Sequence, residues 1–210
     1  KDASNQFVER YEKLADVVGQ SLLEAESAAE KIGFNAAKHL STLVSQGKIP
    51  SEEELARLGK ELDVSLFAIT DKDGRFLRDT VTGAAKQTHK IFDFCEDYRK
   101  LITGGSDLEV TPIIPSFPYR GPYKFIMIPS RDRKMILEAG VNLANLGRIL
   151  ANTMCTDENV RSIGLFSPTF FNFGTIYSDG RFVDGNQGQA PRELGAGDHE
   201  LRRDALEVIR

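Results

Sequence analysis

The sequence predicts an α+β chain: a long N-terminal stalk helix, an antiparallel five-stranded sheet with flanking helices, and a partial, smaller second unit. Three observations carry this. From about Gln6 to Gln46, Val8, Tyr11, Leu14, Val18, Leu22, Ala25, Ala29 and Ile32 recur at steps of three and four, which is one face of a helix. From Val64 to Thr80, an apolar run, the turn Asp71-Lys-Asp-Gly74 and an alternating run form a strand–turn–strand unit, because Asp-Gly is a strong hairpin signal. After a helical stretch at 84–103, apolar runs at 108–112, 123–128 and 135–143 are separated by polar turns and read as further strands.

Each element has a local cause. Glu9, Lys13, Asp16, Glu24 and Glu30 supply the polar side of the first helix, which reads as one long helix or two end to end. Gly19 and Gly33 each weaken it by about 1 kcal/mol relative to Ala. A helix of this length must lie along another body or along its own copy, and Ala25, Ala28 and Ala29 permit close approach. Gly47–Pro50 ends it. Ser51 and Glu54 then form a capping box for a short helix to about Leu62. In the stretch 84–103, Ile91, Phe94, Tyr98, Leu101 and Ile102 share one side, and Gly104-Gly105 stops it. The last strand is expected to run into an amphipathic helix from Leu143 to about Met154.

A second strand–turn–strand unit lies at 160–179. It can be laid on the first, with Leu165-Phe166 on Leu66-Phe67 and Gly174 near Gly74. No further strand is expected after Asp179. Residues 184–197 read as a polar loop and 198–210 as a helix.

The formal net charge is −4 and the basic residues are scattered. Nucleic acid is therefore not an expected partner, because phosphate contacts need a concentrated basic surface. No apolar run approaches the roughly 20 residues of a membrane span, and no leader is visible. The chain opens at Lys1 and stops at Arg210 inside helix-like sequence, so both ends read as cuts within a longer protein. Cys95 and Cys155 lack metal-ligand spacing. Two buried thiols or one disulfide both fit. His39, His89 and His199 have no partner at catalytic or metal spacing, and no nucleophile, phosphate-loop or dinucleotide motif occurs. Asp71 and Asp73 read as turn residues rather than calcium ligands. No cofactor or metal, and no enzymatic activity of this domain, is expected.

The order of elements, with the hairpin Phe67-Ala-Ile-Thr-Asp-Lys-Asp-Gly-Arg-Phe-Leu77 and the distal segment Met135-Ile-Leu-Glu-Ala-Gly-Val-Asn-Leu-Ala-Asn-Leu-Gly-Arg-Ile-Leu150, resembles the Cache family. These are PAS-like extracytoplasmic sensor domains of bacterial receptors such as histidine kinases and chemoreceptors. The resemblance covers roughly residues 6 to 155. It implies a stalk helix at 1–50, a membrane-distal sensor module at 51–155, and a partial membrane-proximal module at 156–210, as in double-Cache proteins. It also implies a membrane-anchored receptor with this domain outside the cytoplasm, helix movement as the signal, and a homodimer through the N-terminal helix.

In that family the ligand lies between the sheet and the crossover segments. Here the corresponding stretch carries Tyr98, Arg99, Tyr119, Arg120, Tyr123, Lys124 and Asn142 as candidate ligand-binding residues. Arg offers a fork for a carboxylate and Tyr a hydroxyl on an apolar ring. Amino-acid-binding members carry an Asp for the ligand amine at the end of the last strand. Asn142 stands there without the charge, so a carboxylate or neutral small molecule is the expected ligand. The loop Ser116–Tyr123 reads as a lid or a rigid turn. Two other readings remain at this stage: a cytoplasmic PAS- or GAF-like regulatory domain, and a small enzyme with dispersed catalytic residues.

Overall fold

The structure is a computed structural model, described here over residues 2–80, 90–115, 122–143, 161–166, 172–177 and 182–184. The helix expected at 144–154, most of the loop at 116–121, the polar loop from 185 and the last helix lie outside the described residues.

The first helix, α1, runs without interruption over Asp2–Ser45. Gly47, at φ 80°, follows it. Helix α2 spans Glu52–Leu62, and both halves of the expected capping box are present. The Glu54 N–H donates to Ser51 Oγ, and the Ser51 N–H donates to Glu54 Oε2 at 2.9 Å. The hairpin follows as β1 (Leu66–Asp71) and β2 (Phe76–Asp79). In its turn, Asp71 Oδ1 accepts from the backbone N–H of Asp73 and of Arg75, both at 2.9 Å. That carboxylate is therefore consumed by the turn.

Four more strands complete the sheet: β3 (Glu109–Val110), β4 (Ile114–Pro115), β5 (Pro122–Pro129) and β6 (Met135–Asn142). The order is β2-β1-β6-β5-β3, with β4 also paired to β5, and every pair is antiparallel. The sheet is the expected one, with β4 as an addition. Strands β1, β5 and β6 are paired on both sides and covered on both faces, which is why their sequences are apolar at nearly every position.

Alternation along these strands divides the core in two. Phe67, Ile69, Ile126, Ile128, Leu137, Ala139 and Val141 face α1 and α2, where they meet Ala29, Ala36, Ala37, Leu40 and Leu55. Leu66, Ala68, Tyr123, Phe125, Met127 and Ile136 face the opposite way, toward Ile91, Phe92 and Leu101.

The continuous helix expected at 84–103 is not what residues 90–103 form. They make α3 (Ile91–Phe94), a 3₁₀ turn (Glu96–Tyr98) and α4 (Arg99–Thr103). Cys95 interrupts them in an extended conformation, φ −157° and ψ 116°. The cause is tertiary. The Ile91 N–H donates to Gly74 O at 2.8 Å, and Arg75 bridges Lys90, so the segment is pinned to the hairpin turn. Gly74 has φ +81°, and a Cβ there would stand 2.6 Å from the Phe92 ring. The turn thus needs glycine for both its backbone and its cover.

A second, three-stranded sheet contains β7 (Ser162–Phe166), β8 (Asn172–Tyr177) and β9 (Phe182–Asp184), in that order. The strand β9 corrects the expectation that none follows Asp179. The echo of the first hairpin is one of element order only: Gly74 lies in a turn, whereas Gly174 lies inside β8 opposite Leu165.

The two glycines of α1 differ in what surrounds them. Nothing lies within 4 Å of a Cβ built at Gly19, whereas one at Gly33 would meet Ile126 Cδ1 at 2.3 Å. Gly33 is where the sheet approaches the helix, and Ile126 is fully buried. Gly19→Ala is expected to stabilise the protein by up to about 1 kcal/mol through helix propensity. Gly33→Ala should fall below it by about 1–3 kcal/mol through overpacking. Urea unfolding of both variants measures the difference, and equal gains would contradict this packing.

Candidate functional site

The face of the sheet away from α1 carries the polar groups. The strand register, with a bulge between Ile69 and Thr70 in the β1–β2 pair, places Asp79, Ala68, Glu138, Met127 and Glu109 in one row across β2, β1, β6, β5 and β3. Ala68 and Met127 belong to the core on that face, so their row partners point there too. Three carboxyls thus alternate with two apolar side chains. Thr70, two residues beyond Ala68 on β1, shares the face. Tyr123 and Asn142 are partners across β5 and β6 and lie at its other end.

Glu138 stands in the middle of this row. It keeps partial solvent access, yet burial, with the charge of Asp79 adding to it, pushes its carboxyl up to about 8. Asp79 is 1% exposed. Tyr98 reaches over the face from the 3₁₀ turn, half-buried. Burial raises its hydroxyl pKa first, and the charges of Glu138, Cys95 and Glu109 raise it further. Tyr123 is raised by burial, partly offset by a hydrogen bond with the Asn142 side chain. Its ring stacks on Phe125 at 5.6 Å between centroids.

Of the seven residues singled out in the sequence, the structure brings Tyr98, Tyr123 and Asn142 to this face. Arg99 is exposed at its rim, paired with Glu96 and lying 4.2 Å over the Phe92 ring. Tyr119 and Arg120 lie outside the described residues. Lys124 is brought elsewhere. Alternation puts it on the α1 side, where its ammonium donates to Glu26 Oε1 at 2.7 Å and to the Thr111 carbonyl at 3.0 Å. Glu30 stands 3.9 Å away. Lys124 is 4% exposed, so it is a buried tie between sheet and helix. Beside it, a groove of about 430 Å³ along α1 is lined by Leu23, Glu26, Glu30, Leu108 and Val110.

Glu138 and Asp79 were missed in the sequence. A signal for Glu138 existed: it is the lone charge inside the apolar run Met135–Val141. Cys95 carries a free thiol, and Cys155 lies outside the described residues. Among the described residues, no three His, Cys, Asp or Glu side chains are grouped closely enough to hold a metal ion. No described helix is long and apolar enough to cross a membrane.

Glu138 gives a pH signature. Its folded pKa, about 8, lies above the ordinary glutamate value of 4.5. The folded state therefore holds a proton that the unfolded state releases, and stability falls as pH rises through that window. Glu138→Gln should flatten the fall, leaving the variant more thermostable than the parent at pH 8 and closest to it near pH 4.5. Melting curves across that range check this, and parallel pH profiles would contradict it.

No family model matches the sequence, and no curated protein matches it. Solved structures do. The sensory domain of the Campylobacter jejuni chemoreceptor Tlp3 (CcmL) aligns at a TM-score of 0.54 and 12% identity, over 84% of this chain and 74% of that one. The same domain with isoleucine bound gives 0.53 and 11%, over 94% and 80%. The Tlp3 ligand-binding domain in complex with 4-methylisoleucine gives 0.54 and 13%, over 93% and 77%. At such identity the likeness is one of fold. This chain has the fold of these chemoreceptor sensory domains.

Proposed function

We propose that the chain is the extracytoplasmic ligand-sensing module of a transmembrane receptor, with a histidine kinase as the favoured output, and that it signals by moving α1. A small molecule binds on the face of Tyr98, Tyr123, Glu138 and Asn142. The second sheet serves as a membrane-proximal module, a reading supported by alignments that extend over more than nine-tenths of the chain. The fold shared with sensory domains supports the class of function.

The observation that carries the mechanism is the two-sidedness of β5. Tyr123 and Phe125 face the layer under Tyr98, while Lys124 between them grips Glu26 of α1. A ligand that prefers one placement of β5 then biases the placement of α1, as a population shift set by its differential affinity. A carboxylate ligand, expected from the sequence, would need Arg120 or a reoriented Arg99, because Lys124 is committed to Glu26.

Lys124→Met tests this reading in the full receptor, with a ligand found by thermal-shift screening. Ligand affinity should stay within about threefold while the output no longer responds. The domain should lose about 1–3 kcal/mol, below the ~3–5 kcal/mol of a fully buried broken pair, because Glu26 keeps 31% of its side-chain surface exposed. Loss of affinity would make Lys124 a ligand contact, and an unchanged response would remove the pair from the signalling route.

A further inference from the structure

We propose that the protein carries a second ligand site, for a small organic oxyanion, in the groove where α1 meets the turn between β5 and β6. The anionic head is held between Lys38 and Arg131, and the apolar body lies toward Phe34 and Leu108. This site is separate from the face of Tyr98 and Tyr123 and does not depend on it.

The groove has a volume of about 630 Å³. That is the size of a small-molecule site. Its walls come from segments distant in sequence: Phe34, Lys38 and Ser41 from α1, Leu108 from the loop before β3, and Ile128 and Arg131 from the end of β5 and the turn after it. Steps of four and three put Phe34, Lys38 and Ser41 on one face of α1. An aromatic ring, an ammonium and a hydroxyl therefore follow one another along the helix wall, and a guanidinium comes from the turn.

The ion pairs already made leave two cations over. Arg133 also borders the groove, but it donates to Asp107 and to the carbonyls of Leu101 and Ser106, at 2.7 and 3.0 Å. It staples the turn to the loop before β3 and neutralises Asp107. Asp132, in the same turn, accepts from Ser130 Oγ at 2.8 Å and has Lys134 Nζ 3.7 Å away. Lys38 and Arg131 remain, both exposed. The Lys38 ammonium lies 4.5 Å over the Phe34 ring, which positions it without cancelling its charge. Among the described residues, neither cation has a carboxylate partner, and the half-buried Ser41 hydroxyl makes no hydrogen bond.

Charge selects the ligand class. Two uncompensated cations are a local reversal in a chain of net charge −4. The sign changes along α1: the neighbouring groove shares Phe34 and Leu108, but Glu26 and Glu30 stand on its wall. An anion is repelled from that half and drawn to the Lys38 end. There Arg131 offers a planar fork for a carboxylate or phosphate, Lys38 a point charge and Ser41 a hydroxyl donor. The apolar part of the ligand meets Phe34, Leu108 and Ile128. An anion bound in this way bridges α1 and the β5–β6 turn, and so adds a second tie between the helix and the strand that Lys124 already joins.

The test is isothermal titration of the whole chain at pH 7 and low salt, with phenyl phosphate, benzoate, benzylamine and benzyl alcohol as matched probes. The two anions should bind, the amine and the alcohol should not, and added salt should weaken the binding. Lys38→Gln and Arg131→Gln should each weaken it at least about fivefold, as for one charge-assisted hydrogen bond at an exposed position. Melting curves confirm that both variants are folded. Tyr98→Ala should leave the affinity for the anions unchanged. Benzyl alcohol binding as tightly as benzoate would overturn the charge assignment. Anion binding that survives both cation substitutions would overturn the site. Anion binding lost in Tyr98→Ala would also overturn it, while supporting the sensor face. Binding of none of the probes would overturn the proposal and leave the receptor-output test on Lys124→Met untouched.

Discussion

Lys124 lies in the apolar layer between sheet and stalk helix, and its ammonium is held by Glu26 of α1 and the Thr111 carbonyl. A charge in that place is tolerable only when it is paired and hydrogen-bonded. Such a pair contributes little net stability over an apolar substitute. Its consequence is specificity: one ammonium reaches Glu26 only when helix and strand stand in one register. The rest of the architecture depends on that constraint. With β5 fixed against α1, alternation aims Tyr123, Phe125 and Met127 into the opposite layer. The row partners of Met127 then place Glu138 and Asp79 there as well.

The close approach of Gly33 to Ile126 serves the same contact from the helix side. A helix that touches the sheet through a glycine and an ion pair moves with it. The other side of the sheet is built differently. Its cover consists of short helical pieces pinned at Gly74, and burial pushes the Glu138 carboxyl well above the usual carboxylate range. A rigid contact behind a strand and a loosely covered polar face in front of it is the arrangement a ligand can bias.

Much of this fold was legible in the sequence, because each signal was local. The three-and-four spacing of α1, the Ser51–Glu54 capping box and the Asp73-Gly74 turn need only a few neighbouring residues to act. The breaks in 90–103 were not legible, since they follow from hydrogen bonds to Gly74, which is distant in the chain. The candidate face was partly legible. Residue type and region picked out Tyr98, Tyr123 and Asn142, which the structure places on one face. Lys124 lies on the opposite face, a placement that residue type ignores but that its spacing with Ile126 and Ile128 already indicated. Glu138 was passed over as part of a family-like strand, although a charge in Met135–Val141 is an anomaly that needs a reason. Asp79 could not be read, because its partnership with Ala68 depends on a bulge between Ile69 and Thr70.

The central claim is that one strand links the polar face of the sheet to the stalk helix. It is tested most directly by double electron–electron resonance on the whole chain, with Cys95 and Cys155 replaced by Ser. Spin labels would sit at exposed Leu23 on α1 and exposed Lys134 in the β5–β6 turn. The account predicts that a saturating ligand shifts the distance distribution in the parent and leaves it unshifted in Lys124→Met. A ligand that binds on the face of Tyr98 and Tyr123 with no change in the parent distribution would contradict it.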